Sequence, residues 1–142
     1  MPNTIGKSPD LRDQCLVTAA MKARTDNPVV LVVEDDPSVR ELLADVLDEV
    51  DYEVVAVPDG PAALRTMQVL RIDLITLDLD LPGLTGSELL RIIHERPQPV
   101  PPVIVITSSA PLSRELQSKV QGVMTKPFDV DDLISMIRKL LA

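Results

Sequence analysis

Aromatic side chains are almost missing from the 142 residues: one Tyr (Tyr52), one Phe (Phe128) and no Trp. The core must therefore be aliphatic, and a stacking platform for unpaired bases is excluded. Cysteine is as scarce. Cys15 alone can close no intramolecular disulfide and build no thiolate metal cluster, which points to a reducing compartment. Basic residues are the minority, 14 against 22 acidic, and the net charge of −8 repels phosphate backbones and anionic membranes. Direct nucleic acid binding is not expected. Residues 1–28 hold scattered charge and no apolar run of signal-peptide length, and no later run is long enough to span a bilayer. The reading expects a cytoplasmic protein with no membrane insertion. The one histidine, His94, lies late in an amphipathic stretch and reads as a surface residue.

What remains is an ordinary soluble composition, 45% hydrophobic and 25% charged, at a length that fits one domain. From Pro28 onward, short β-branched runs alternate with stretches of helical periodicity. The strands read as Val29 to Val33, Glu53 to Val57, Ile72 to Leu77, Val103 to Thr107 and Val123 to Thr125. Pro37 opens the first helix, whose apolar stripe is Val39, Leu42, Leu43, Val46, Leu47 and Val50. The second runs from about Pro61 to Leu70 after a turn at Pro58-Asp59-Gly60. Thr85 and Glu88 stand at capping-box spacing for a third that ends near Glu95. A proline-rich connector follows, then a helix from about Leu112 to Val120 and a last one capped by Asp129. The first strand is apolar on both faces, as a parallel strand covered from both sides should be. Five β/α units in strict alternation thus give an α/β fold, a doubly wound five-stranded parallel sheet with five helices. Residues 1–27 stand outside the repeat as an N-terminal extension expected to be mobile, with the domain at 28–142 and no output domain appended.

In open parallel sheets, chemistry gathers beyond the carboxyl ends of the strands. The first strand ends in Glu34-Asp35-Asp36, the third in Asp78 followed by Asp80, the fourth in Thr107-Ser108-Ser109, the fifth in Lys126-Pro127. Carboxylates, a hydroxyl and an ammonium therefore meet on one rim. Clustered carboxylates repel, and a hard cation such as magnesium relieves the repulsion while leaving positions open for phosphate oxygens. Asp78 can then act as a nucleophile toward phosphorus, with Lys126 neutralising charge and Thr107 donating a hydrogen bond.

These segments resemble the receiver domains of two-component response regulators. Val-Val-Glu34-Asp35-Asp36-Pro37 is similar to the family's acidic pair, and Leu77-Asp78-Leu79-Asp80-Leu81-Pro82-Gly83 to its phosphoacceptor strand and loop. Val-Ile-Thr107-Ser108 is similar to the switch hydroxyl, Thr125-Lys126-Pro127-Phe128 to the lysine that precedes a cis peptide, and Asp59-Gly60 to the turn before the second helix. The resemblance covers Pro28 to Ala142 and implies the flavodoxin-like strand order 2-1-3-4-5. It further implies that Asp78 takes a phosphoryl group from a histidine kinase or histidine phosphotransfer protein. Glu34, Asp35, Asp78 and the backbone carbonyl of Asp80 would surround Mg2+ (or Mn2+). Self-phosphorylation and slow self-dephosphorylation would be its only chemistry, not turnover of an external substrate. The output would be a phosphorylation-dependent contact with a downstream protein, a homodimer included. Ser109 and Asp80 stand where the family tunes hydrolysis.

Three departures bear on that expectation. Glu34 replaces the commoner aspartate with a longer arm, Thr107 and Lys126 are closer in sequence than the resemblance implies, and Val123 stands where an aromatic switch residue is usual. Two other readings are weighed against it. Asp78-Leu79-Asp80 also resembles the nucleophile motif of the haloacid-dehalogenase phosphatases, but Pro82 follows and Glu34-Asp35 precede it, against that pattern. A pseudo-receiver acting purely as an interaction module would suit Val123, but such domains lose the acidic pair or the acceptor.

Overall fold

The structure, a computed structural model, describes residues 27–108 and 112–142. The elements are β1 (Val29–Val33), α1 (Pro37–Glu49), β2 (Glu53–Val57), α2 (Gly60–Val69), β3 (Leu74–Asp78), α3 (Gly86–Glu95), β4 (Val103–Thr107), α4 (Arg114–Ser118), β5 (Gly122–Thr125) and α5 (Val130–Leu141). The strands form one parallel sheet in the expected order, β2-β1-β3-β4-β5. Alternate residues of each strand face opposite sides, so the sheet carries two cores, both mainly aliphatic, with Tyr52 and Phe128 joining the second. Val29, Leu31, Val33, Ile75, Leu77, Val103 and Val105 pack against α2 and α3, with Leu116 of α4 at the margin. Val30, Val32, Leu74, Ile104 and Ile106 pack against Leu43 and Leu47 of α1 and Leu133 and Ile137 of α5. This is why the β1 run has no polar member: both of its faces are covered.

The helix starts follow from side-chain caps. Asp36, Asp59, Thr85, Ser113 and Asp129 each accept from a backbone N–H of the first turn, which satisfies donors the helix itself cannot. The Thr85–Glu88 box is complete in both directions. Four elements differ in extent from the periodicity. α2 starts at Gly60, because Asp59 is its cap rather than part of a free turn. β3 starts at Leu74, not Ile72: Ile72 packs half-buried against the core, and the Asp73 carboxylate accepts the Val29 N–H at 2.8 Å. α4 is only five residues, starting after the Ser113 cap and ending where the chain turns so that Gln121 N–H can reach the Val103 carbonyl. β5 begins at Gly122, one residue earlier than expected. The N-terminal extension expected over 1–27 falls, apart from Asn27, outside the described residues. Among those described, no helix is long and apolar enough to cross a membrane.

Candidate functional site

Strand order reverses beside β1: the chain steps from β1 to β2 on one side, then crosses to β3 on the other. The crevice beyond the carboxyl ends of β1 and β3 is where such a sheet presents its chemistry. Glu34 extends β1, and Asp78 is the last residue of β3. Both are buried, at 2% and 3% exposure, at the top of strands whose lower residues are aliphatic apart from Thr76. Buried carboxylates demand partners, and the structure supplies them. The Lys126 ammonium, just past β5, donates to Glu34 Oε1 at 2.9 Å and to Asp78 Oδ2 at 3.2 Å. Asp36 N–H donates to Glu34 Oε2, and Asp80 N–H to Asp78 Oδ1 at 2.9 Å.

Burial pushes the Glu34 carboxyl above the ordinary glutamate value, and the bond from Lys126 only partly offsets it. Burial alone would lower the Lys126 ammonium, but hydrogen bonds and charge from Glu34 and Asp78 prevail and hold it above its usual value. Lys126 is therefore a fixed cation. One carboxylate oxygen from each of Glu34, Asp35 and Asp78 lies within 4.8 Å of the others. One ammonium against three carboxylates leaves the cluster negative, and an all-oxygen donor set of this kind suits a hard divalent cation.

The sequence candidates come together here with two exceptions. Thr107 is wholly buried at the end of β4, one position beyond the register partner of Asp78, and its carbonyl accepts the Lys126 N–H at 2.9 Å. The peptide between Lys126 and Pro127 is cis. Asp80 lies exposed at the mouth. Val123 stands apart, 38% exposed on β5, an edge strand. Ser109 lies outside the described residues.

Two further residues enter the site: Arg40, which motif reading passed over, and Ser108, to which it gave no role of its own. Arg40 donates from Nη1 to the carbonyls of Glu34, at 2.9 Å, and Asp35, at 3.3 Å, clamping the acid-bearing turn from behind. Its signal was available, since a basic residue near the start of α1 opposes the helix dipole and calls for another reason. Ser108 donates to Asp80 Oδ2 at 3.0 Å across the mouth. A separate cleft of about 510 Å³, lined by Met67, Leu70, Arg71, Asp73, Arg96 and Pro99 among others, opens at the far end of the strands, away from these carboxylates.

Known proteins resemble the chain in sequence and fold. The sequence profile of the response regulator receiver domain matches residues 30–138. The chain belongs to the response regulator receiver family. It is 33% identical over 113 residues to the DNA-binding response regulator MtrA of Mycolicibacterium smegmatis, covering 79% of this chain and 50% of that protein. It is likewise 33% identical over 114 residues to the sensory transduction protein RegX3 of Mycobacterium tuberculosis, with the same coverage. The chain thus spans half the length of these relatives. Among solved structures, the receiver domain of Francisella response regulator 1452 superposes with a TM-score of 0.73 at 30% identity, over 81% of this chain and 97% of that one. The response regulator TrrA of Thermotoga maritima, determined in complex with Mg2+-BeF, gives 0.72 at 31% identity, over 80% and 99%. The receiver therefore has the fold and the family of two-component signalling proteins.

Proposed function

We propose that the receiver is a phosphoacceptor: Asp78 takes a phosphoryl group from a phosphohistidine of a kinase or phosphotransfer protein. The observation that carries this is Lys126, bonded at once to two buried carboxylates at the switch point of the sheet. A carboxylate oxygen of Asp78 forms a bond to phosphorus as the P–N bond breaks, and the electron pair leaves with the imidazole. The product is an acyl phosphate. Glu34, Asp35, Asp78 and the Asp80 carbonyl are the groups that would hold Mg2+ (or Mn2+), which supplies positive charge beside the transferring group. Lys126 supplies a second positive charge, Thr107 a hydroxyl donor, and Arg40 keeps the acidic turn in place.

The added phosphoryl charge of about −1.5 to −2 then alters the surface around Thr107 and Lys126. With Val123 in place of an aromatic at an exposed edge, a protein partner, a second copy included, reads the phosphorylated loops directly. The protein works in the cytoplasm, beside its donor. Transfer from a phosphorylated histidine phosphotransfer protein tests the proposal. Hydroxylamine-labile phosphate mapped to the peptide containing Asp78 is expected; phosphate on another residue, or steady turnover of p-nitrophenyl phosphate, contradicts it.

A further inference from the structure

We infer that Ser108 is a positioning residue that sets how long the phosphoryl group stays on Asp78, by holding the Asp80 carboxylate at the mouth of the site. The inference rests on the phosphoacceptor reading and adds to it a residue that acts through another. Asp80 is fixed at both ends. Its backbone N–H donates to Asp78 Oδ1 at 2.9 Å, and its side-chain Oδ2 accepts from Ser108 Oγ at 3.0 Å. The second bond joins two loops that are 28 residues apart in sequence and flank Asp78. Ser108 is itself anchored, because it follows Thr107, which is buried and pairs with Thr125 of β5.

Ser108 and Asp80 are both exposed, and an exposed hydrogen bond of this kind adds little to folding. Its consequence is directional. The inner side of Asp78 is occupied by Lys126, Glu34 and the end of β4, so water reaches a phosphoryl group on Asp78 from the mouth, where Asp80 stands. In hydrolysis the water oxygen bonds to phosphorus while the P–O bond to Asp78 breaks. The electron pair returns to the Asp78 carboxylate, and the water proton leaves with the inorganic phosphate. A carboxylate with one oxygen held by Ser108 keeps the other free to accept from that water and aim it. Without the hydroxyl, Asp80 samples other rotamers and aims less often.

The test uses the full chain, phosphorylated with acetyl phosphate and Mg2+, freed of donor by rapid desalting, and followed by intact mass as the adduct decays. Ser108→Ala is expected to slow the decay about two- to tenfold, the effect of losing one hydrogen bond, and Ser108→Thr to restore it. In an Asp80→Ala background, Ser108→Ala is expected to add nothing. In unphosphorylated protein, the carboxyl carbon resonance of Asp80 should shift in Ser108→Ala and stay in Ser108→Thr, with amides outside the site unmoved. Decay unchanged in Ser108→Ala, or slowed equally in the Asp80→Ala background, overturns the role of Ser108 and leaves Asp78 as the acceptor. Failure of the wild type to form any adduct overturns both.

Discussion

At the residue scale, the site is a problem of buried like charges with one cation to serve them. Lys126 is a quarter exposed and bridges two carboxylates that are almost fully buried. Lys126→Met leaves both without their counter-charge. Full burial would make that cost larger, so with partial solvent access about 1–3 kcal/mol is expected in urea unfolding. The Glu34 carboxyl, raised by burial, gives a pH prediction. A group whose folded value is raised adds stability below the ordinary glutamate range and loses it as pH climbs through the raised value. Wild type and Glu34→Gln should therefore match in stability at low pH without divalent metal. From there to neutrality the variant should gain relative to wild type; a difference that shrinks or reverses with rising pH contradicts it. Asp78 was legible in the sequence because a charge directly after Leu74-Ile75-Thr76-Leu77 needs a reason. The Lys126–Glu34 bond was not, because it joins residues 92 apart, and local patterns carry no such distances. The partners of Arg40, two backbone carbonyls, leave no trace in residue type, so only its unfavourable charge near the start of α1 hinted at a role.

At the element scale, the caps and the close approach behind Asp78 decide where α3 sits. Thr85 accepts from Glu88 N–H, and the Glu88 side chain bonds back, holding the Glu88 carboxyl below its ordinary value through the Thr85 backbone and hydroxyl. Thr85→Ala should lower stability by about 1 kcal/mol, read from chemical denaturation. One residue on, Gly86 lies against the end of β3 that bears Asp78: a Cβ there would stand 2.5 Å from Leu79 Cα and 2.6 Å from the Asp78 carbonyl oxygen. Backbone on both sides cannot yield cheaply. Gly86→Ala is expected to cost about 1–3 kcal/mol and to slow phosphorylation, since relief means moving the end of β3; unchanged phosphorylation kinetics would show that α3 gives way instead. Element identities were legible because strand runs and helical stripes have different periods. Boundaries were less so: Ile72 is apolar but packs from a loop, and α4 shrinks to five residues because Ser113 caps it late and β5 pairs early.

At the scale of the whole molecule, strict β/α alternation already requires a parallel sheet covered on both faces, and the two mainly aliphatic cores are the physical result. Strand order is different. Which strands neighbour β1 depends on long-range pairing that no periodicity encodes, and only the family motifs supplied it in advance. The same topology gathers residues from the ends of β1, β3 and β4 and the segment after β5 into one negative cluster served by one lysine. On the proposed function, this cluster makes Asp78 a phosphoryl acceptor. Intact mass after incubation with acetyl phosphate and Mg2+, in wild type and Asp78→Asn, tests it most directly. One labile phosphoryl group (about 80 Da) on the wild type alone, lost when the metal is chelated beforehand, is the predicted result. No adduct on the wild type under rapid sampling, or an equal adduct on Asp78→Asn, would contradict it.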